Sequence, residues 1–202
     1  EKAALSCSPH PNIIRLHAAF ADEQHLYFAM ELALGGELFA LIEEKDLLPE
    51  PAVKYYSASV TLALAHLHFH GFIYRDLKPE NVLICASGHI KLCDFGLAAV
   101  GISASATHIS ASGRPVLVGT TEYMAPEVVR QQTCGQAVDL WALGVLLFEM
   151  MTGEAPWHHK EQKELQVRRR APATGTATAA TAASASPPPP HPSASPPPPP
   201  PS

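Results

Sequence analysis

Tyr74-Arg75-Asp76-Leu77-Lys78-Pro79-Glu80-Asn81-Val82-Leu83 is the stretch on which the reading of this chain turns. Between Asp76 and Asn81 it gathers two carboxylates, an ammonium and a side-chain amide, then becomes apolar. The apolar runs Val82-Leu83-Ile84 and Ile90-Lys91-Leu92, split by Ala86-Ser87-Gly88-His89, predict a small hairpin. Beyond it stands Asp94-Phe95-Gly96, a carboxylate followed by a residue that lets the backbone turn sharply. Ala125-Pro126-Glu127 comes later. Any one of these pieces is weak, since turn residues and tripeptides recur by chance; their order, with a hairpin between the first two, is specific.

Upstream, residues 1–9 read as the end of a helix stopped before Pro9 and Pro11. Ile13 to Phe20 and Leu26 to Leu32, joined by the polar Ala21-Asp22-Glu23-Gln24, predict an antiparallel hairpin. Gly35-Gly36 breaks the chain, and Glu37 to Lys45 has helical composition. From Ala52, Tyr56, Val60, Leu64 and Leu67 recur at helical spacing, so a long amphipathic helix is expected to end near Gly71. Downstream, residues 100–118 are rich in Ser, Ala and Gly without periodicity and read as a loop. Asp139 to Met151 is apolar on all sides but too short to cross a bilayer, which predicts a buried core helix. Asp139 and Glu149 inside it are then costly unless paired.

The 202 residues carry a net charge of −5, which argues against a dedicated nucleic-acid binder. Residues 171–202 contain no Asp, Glu, Lys or Arg and consist almost wholly of Pro, Ala, Thr and Ser, a composition that predicts disorder. Cys7, Cys85, Cys93 and Cys134 form no C-x-x-C pair, which fits reduced thiols in a cytoplasmic or nuclear protein. No apolar run is long enough to predict a transmembrane helix, and no membrane partner is expected. The start at Glu1 does not read as a signal peptide and, lacking Met, fits a fragment.

The ordered motifs resemble those of eukaryotic protein kinases over residues 1 to about 160. Lys78 within Asp-Leu-Lys-Pro-Glu-Asn resembles the serine/threonine branch. Tyr74 before Arg75-Asp76, Gly35-Gly36-Glu37-Leu38-Phe39 and Gly119 to Glu127 resemble the AGC group. The implied fold is α+β and kinase-like: a mainly helical C-lobe, the last two strands of the N-lobe sheet, and a small β hairpin at the catalytic loop. The implied organisation is a partial kinase domain over 1–160 (end of the N-lobe 1–32, partial C-lobe 33–160), a charged linker over 161–170, and a disordered tail over 171–202.

The implied activity is transfer of the ATP γ-phosphoryl group to Ser or Thr of proteins, with Mg2+. Such transfer needs positioning and charge neutralisation more than covalent chemistry. Asp76 would orient the attacking hydroxyl, Lys78 would offset developing charge, and Asn81 and Asp94 would offer magnesium the oxygen ligands it prefers. By the same resemblance, Thr120 would help position the hydroxyl. Met30 corresponds to the gatekeeper, Glu31 to Ala33 to the hinge that hydrogen-bonds adenine, and Leu83 would lie under the ring. Glu1 falls where the family's αC glutamate would be, although it is also simply the first residue of a chain that starts abruptly. Leu5, Leu16, Tyr74, Phe95 and Asp139 match the stacked spine of active kinases, Asp139 as anchor of the catalytic loop; a helix N-cap is its other reading. Glu37, Glu80 and Glu149 match acidic positions that hold arginine upstream of the target residue, and Leu117, Thr121 and Met124 would line the pocket for the residue after it.

Two departures stand out. Val116 occupies the position of the usual phosphothreonine, leaving Thr107, Ser110 or Ser112 as substitutes. After Trp157 the chain runs to Arg168-Arg169-Arg170 and the proline tail, not into the family's further helices, so Glu127 is expected to lack its usual arginine partner. The Gly-rich loop and the strand lysine are also absent, so these residues alone are expected to transfer negligible phosphate. The rival reading is a catalytically incompetent truncated kinase that binds partners through its kinase surface and its tail. Pro187–Pro190 and Pro196–Pro201 would suit SH3-, WW- or profilin-like modules, or act as a spacer. His66, His68 and His70 alternate, but period two spreads them round a helix, which favours structural histidines over zinc ligands.

Overall fold

The computed structural model describes residues 2–5, 9–100, 108–109, 115–116, 120–130 and 135–157. A short helix, α1 (Lys2–Leu5), leads to the antiparallel hairpin β1 (Leu16–Ala21) and β2 (Leu26–Met30). Ile13 does not join that hairpin. It forms a parallel bridge to Leu92, and Ile14 donates to Leu92 O at 2.9 Å, which sews the hairpin's lead-in onto a strand far along the chain.

Helix α2 (Leu38–Lys45) and the long α3 (Glu50–Phe69) follow. Pro49 and Pro51 suit the start of α3, where the first N–H groups have no helical partners. Its stop comes at Gly71, whose φ of 78° lies in the left-handed region that glycine enters freely. Val60, Leu64 and Leu67 are buried as their spacing predicts, while Tyr56 sits half-buried at the rim. Each fully buried aliphatic side chain contributes roughly 1.5–3 kcal/mol relative to exposure.

Strand β3 (Phe72–Ile73) opens the central segment. The hairpin β4 (Val82–Ile84) and β5 (Ile90–Leu92) pairs Val82 with Leu92, Leu83 with Lys91 and Ile84 with Ile90. The stretch read as a plain loop contains short strands. Strand β6 (Ala99–Val100) pairs with β3, and β7 (His108–Ile109) pairs with β8 (Pro115–Val116). Two-residue strands carry no periodicity, so composition could not reveal them.

Helices α4 (Pro126–Val129) and α5 (Ala137–Thr152) complete the described fold. Helix α5 packs on α3, and Leu146 and Met150 join a core that includes Leu38, Leu64, Leu67 and Leu92. It is not buried all round, as its composition suggested: Leu140, Phe148 and Met151 are 56%, 44% and 58% exposed. An apolar helix buries only the faces that neighbouring elements cover. Among the described residues no helix is long and apolar enough to cross a membrane. The linker and tail expected over 161–202 lie outside the described residues.

Candidate active site

The site begins with a buried carboxylate on α5. Asp139 is fully buried; its Oδ2 accepts the Tyr74 N–H at 2.9 Å and lies 2.7 Å from His68 Nε2, while Oδ1 accepts the Arg75 N–H at 2.8 Å. Asp139 thus anchors the loop backbone and does not cap its own helix. The anchor also explains how Arg75 holds a φ of 68°, a conformation a non-glycine residue keeps only when its surroundings impose it. The Arg75 side chain reaches forward and donates from Nε to Leu97 O at 2.7 Å.

One residue on, Asp76 is buried. Asn81 Nδ2 donates to both Asp76 Oδ2 and Asp76 O, each at 2.8 Å, and Lys78 Nζ lies 3.3 Å from Oδ2. The three-residue 3-10 turn Pro79–Asn81 folds the amide back onto the carboxylate. Cys93 N donates to Asn81 O at 3.0 Å, so the β4–β5 hairpin delivers Asp94 to the end of the sheet at which Asn81 stands. Asp94 has a φ of 52° and an exposed side chain, and Oδ1 accepts the Gly96 N–H at 3.1 Å.

Tyr74 and Phe95 fill the space behind these groups, both fully buried, with ring centroids 5.2 Å apart. Tyr74 OH donates to Cys93 O. Burial holds the Tyr74 phenol well above its usual pKa, and the nearby groups of Cys93, Asp76, Asp94 and Asp139 push it the same way. Burial, followed by Asp94 and Glu37, likewise pushes the Cys93 thiol up to about 11.

The sequence profile of the protein kinase domain matches residues 1–195. The chain belongs to the protein kinase family. The match continues past 160, where the motif resemblance fades. A probable serine/threonine-protein kinase of Dictyostelium discoideum is 42% identical over 166 residues, covering 82% of this chain and 35% of that protein. Human ribosomal protein S6 kinase alpha-2 is 44% identical over 164 residues, covering 81% of this chain and 22% of that one. The putative ribosomal protein S6 kinase alpha-1 of Caenorhabditis elegans is 43% identical, covering 81% and 20%. The chain thus spans about a fifth to a third of the length of these relatives, and the likeness is to serine/threonine kinases of the AGC kind.

Kinase features outside the catalytic loop can now be located. Met30, the expected gatekeeper, ends β2 and is 42% exposed. Glu31 N is committed to Arg15 O at 2.9 Å, and Gly35 N and Gly36 O pair with Ile84 at 2.7 and 2.8 Å. Among the described residues no backbone hydrogen bond holds Leu32, Ala33 or Leu34, so the Glu31 carbonyl and the Ala33 N–H and carbonyl are open to the edge of a base. Leu83 lies half-buried beside this segment and bridges Glu37. The kinase donor set for magnesium fits as well. Asn81 spends its amide nitrogen on Asp76, which leaves its oxygen for a ligand, and the Asp94 carboxylate is open. Among the described residues no cluster of three His, Cys, Asp or Glu could hold a metal. Two oxygen donors suit magnesium, which keeps waters and phosphate oxygens as its other ligands.

The residues expected to face the peptide fall into two groups. Thr120 and Met124 line a pocket with Arg75, Asp76 and Leu77, so the structure brings them together with Asp76. Glu149 is half-buried; burial, then Glu80 and Glu122, push its carboxyl up to about 7. Glu80 and Glu149 are therefore close, whereas Glu37 is exposed at the start of α2. Sequence reasoning missed Tyr123, whose OH donates to Glu149 Oε2. A lone tyrosine in an irregular segment carries no periodic signal, and only the fold places it against α5. Glu1, Leu117, Thr107, Ser110 and Ser112 lie outside the described residues, and of Val116 only its place in β8 is described.

Proposed function

We propose that this chain carries the catalytic loop, metal-binding loop and base-binding segment of an ATP-dependent serine/threonine kinase that prefers arginine upstream of the target residue. The observation that carries the reading is the Asp76–Asn81–Lys78 arrangement beside Asp94. Asp76 Oδ2 faces Asn81 and Lys78, which leaves Oδ1 to take the proton of a substrate hydroxyl. Lys78, 3.3 Å from that carboxylate, is placed to offset charge on the transferring phosphoryl group. Asn81 and Asp94 would hold Mg2+, which supplies charge neutralisation on the phosphates. Thr120, beside Asp76, would orient the hydroxyl, and Met124 would receive the following residue.

Glu80 and Glu149 form the arginine site of this reading, and Glu37 a second one. Burial raises the Glu149 carboxyl first, and Glu80 and Glu122 add to it, so an arriving guanidinium would offset both the desolvation and the repulsion. The reading is tested in a chimera in which the Gly-rich loop and strand lysine of a ribosomal protein S6 kinase precede Glu1. Transfer of labelled γ-phosphate to Ser peptides with upstream Arg, lost when Arg is replaced by Ala, is the expected result. A chimera that binds MgATP but phosphorylates neither peptide would sink the proposal.

A further inference from the structure

Lys91 stands on β5, opposite Leu83 and three residues before Asp94. Its Nζ lies 2.7 Å from Glu31 Oε1 and donates to Pro11 O at 2.9 Å. The same Glu31 oxygen accepts the Arg15 N–H at 2.8 Å. One ammonium thus joins three segments distant in sequence: the turn ahead of β1, the end of β2, and the strand that leads to the metal-binding loop. The two side chains are only 17% and 25% exposed, so the pair is partly desolvated and less screened than an ordinary surface pair. Burial raises the Glu31 carboxyl, but Lys91 and the Arg15 amide more than offset it and bring the carboxyl below its usual range.

The position of the pair matters more than its strength. The crossing from Glu31 to Gly36 is fastened at its far end to β4 through Ile84. At its near end Lys91 reaches Glu31 directly from β5, alongside the backbone route in which Glu31 N donates to Arg15 O and Ile14 N to Leu92 O. Between the two, Leu32 and Leu34 are exposed, and among the described residues no backbone hydrogen bond holds residues 32–34. Without Lys91, the near end of the crossing would reach β5 through Arg15 and the Ile14–Leu92 backbone bond, a less direct tie to the strand that carries Asp94.

We propose that Lys91 is a positioning residue for nucleotide: its ion pair with Glu31 latches the base-binding segment to the strand carrying Asp94, setting the separation between base edge and metal. The role rests on the nucleotide-site reading given above. A bound nucleotide must satisfy both ends at once, so a loosened crossing weakens binding even though Lys91 touches no ligand.

The test compares Lys91→Met, which keeps the aliphatic stem, with Lys91→Arg, Glu31→Gln and the Lys91→Met/Glu31→Gln double variant, all in the 202-residue chain. Hydrogen exchange is followed over residues 29–36 without nucleotide, and MgADP affinity is measured by calorimetry. The expected result is faster exchange at the bonded Glu31 and Gly35 amides and about fivefold weaker MgADP binding in Lys91→Met. Lys91→Arg should restore both, and the double variant should be no worse than either single one. Exchange and affinity unchanged in Lys91→Met would overturn the positioning role alone. Faster exchange with unchanged affinity would also overturn it, reducing Lys91 to a structural tie. Absence of MgADP binding by the unmodified chain would overturn the nucleotide-site reading and, with it, the positioning role.

Discussion

His68 Nε2 and Asp139 Oδ2 sit 2.7 Å apart although 71 residues separate them, joining the end of α3 to the start of α5. The same carboxylate holds the Tyr74 and Arg75 amides, so one side chain ties two helices to the catalytic loop. Asp139→Ala leaves two backbone donors buried without an acceptor. A loss of about 3–5 kcal/mol is expected in urea unfolding. Asp139→Asn keeps the shape but turns an amide N–H towards donors, and should cost about 1–3 kcal/mol. Equal stability of Asp139→Ala and the unmodified chain would remove the anchor from this account.

Asp76 and Asp94 should separate by readout. In the chimera, Asp94→Asn removes a charged oxygen donor and should lower both MgATP affinity and transfer, the latter by about 10²–10³-fold. Asp76→Asn should lower transfer to a similar extent while leaving MgADP affinity within twofold or so, because the observed contacts of the Asp76 carboxylate are to Asn81 and Lys78 and it is not one of the two expected metal donors. Filter binding and phosphate transfer, measured side by side, check the split.

The Glu149 carboxyl, pushed up to about 7 by burial and by Glu80 and Glu122, gives a pH dependence of known sign. Its folded pKa lies above the usual carboxylate range, so the fold favours the neutral form. That stabilising contribution is complete below the unfolded pKa and is lost as pH rises towards 7. Binding of an arginine peptide runs the other way, because the guanidinium needs the carboxylate. Peptide affinity should therefore increase between pH 6 and 8, and Glu149→Gln should flatten the profile and weaken binding at pH 8 by about tenfold. Fluorescence anisotropy across that range reads both effects.

Gly153 ends α5 with a φ of 82°, and an added Cβ would lie 2.1 Å from Asp46 O. Backbone cannot give way as a flexible side chain can, so Gly153→Ala should cost more than about 2 kcal/mol. Gly88 in the β4–β5 turn has a φ of 83° but open space around it. Gly88→Ala should cost only the conformational strain, about 1 kcal/mol. Thermal midpoints of the two variants separate strain from clash.

The pieces legible in the sequence were those whose signal is local. The 3.6 period of Val60, Leu64 and Leu67 placed α3, two β-like runs around the polar turn at residues 21–24 placed the first hairpin, and the polar turn before Ile90 placed the second. The ordered motifs named Asp76, Lys78, Asn81 and Asp94, and the buried charge at Asp139 demanded a partner before the partner was visible. What only the tertiary structure decided were pairings across long stretches of chain: Lys91 with Glu31, Tyr123 with Glu149, β6 with β3. It also decided that one face of α5 stays open, where composition suggested burial all round. Backbone preference and hydrophobic period act over a turn or two of chain. A contact across tens of residues forms only after loop closure has been offset by packing elsewhere, so its identity is a property of the assembled core and not of any stretch within it.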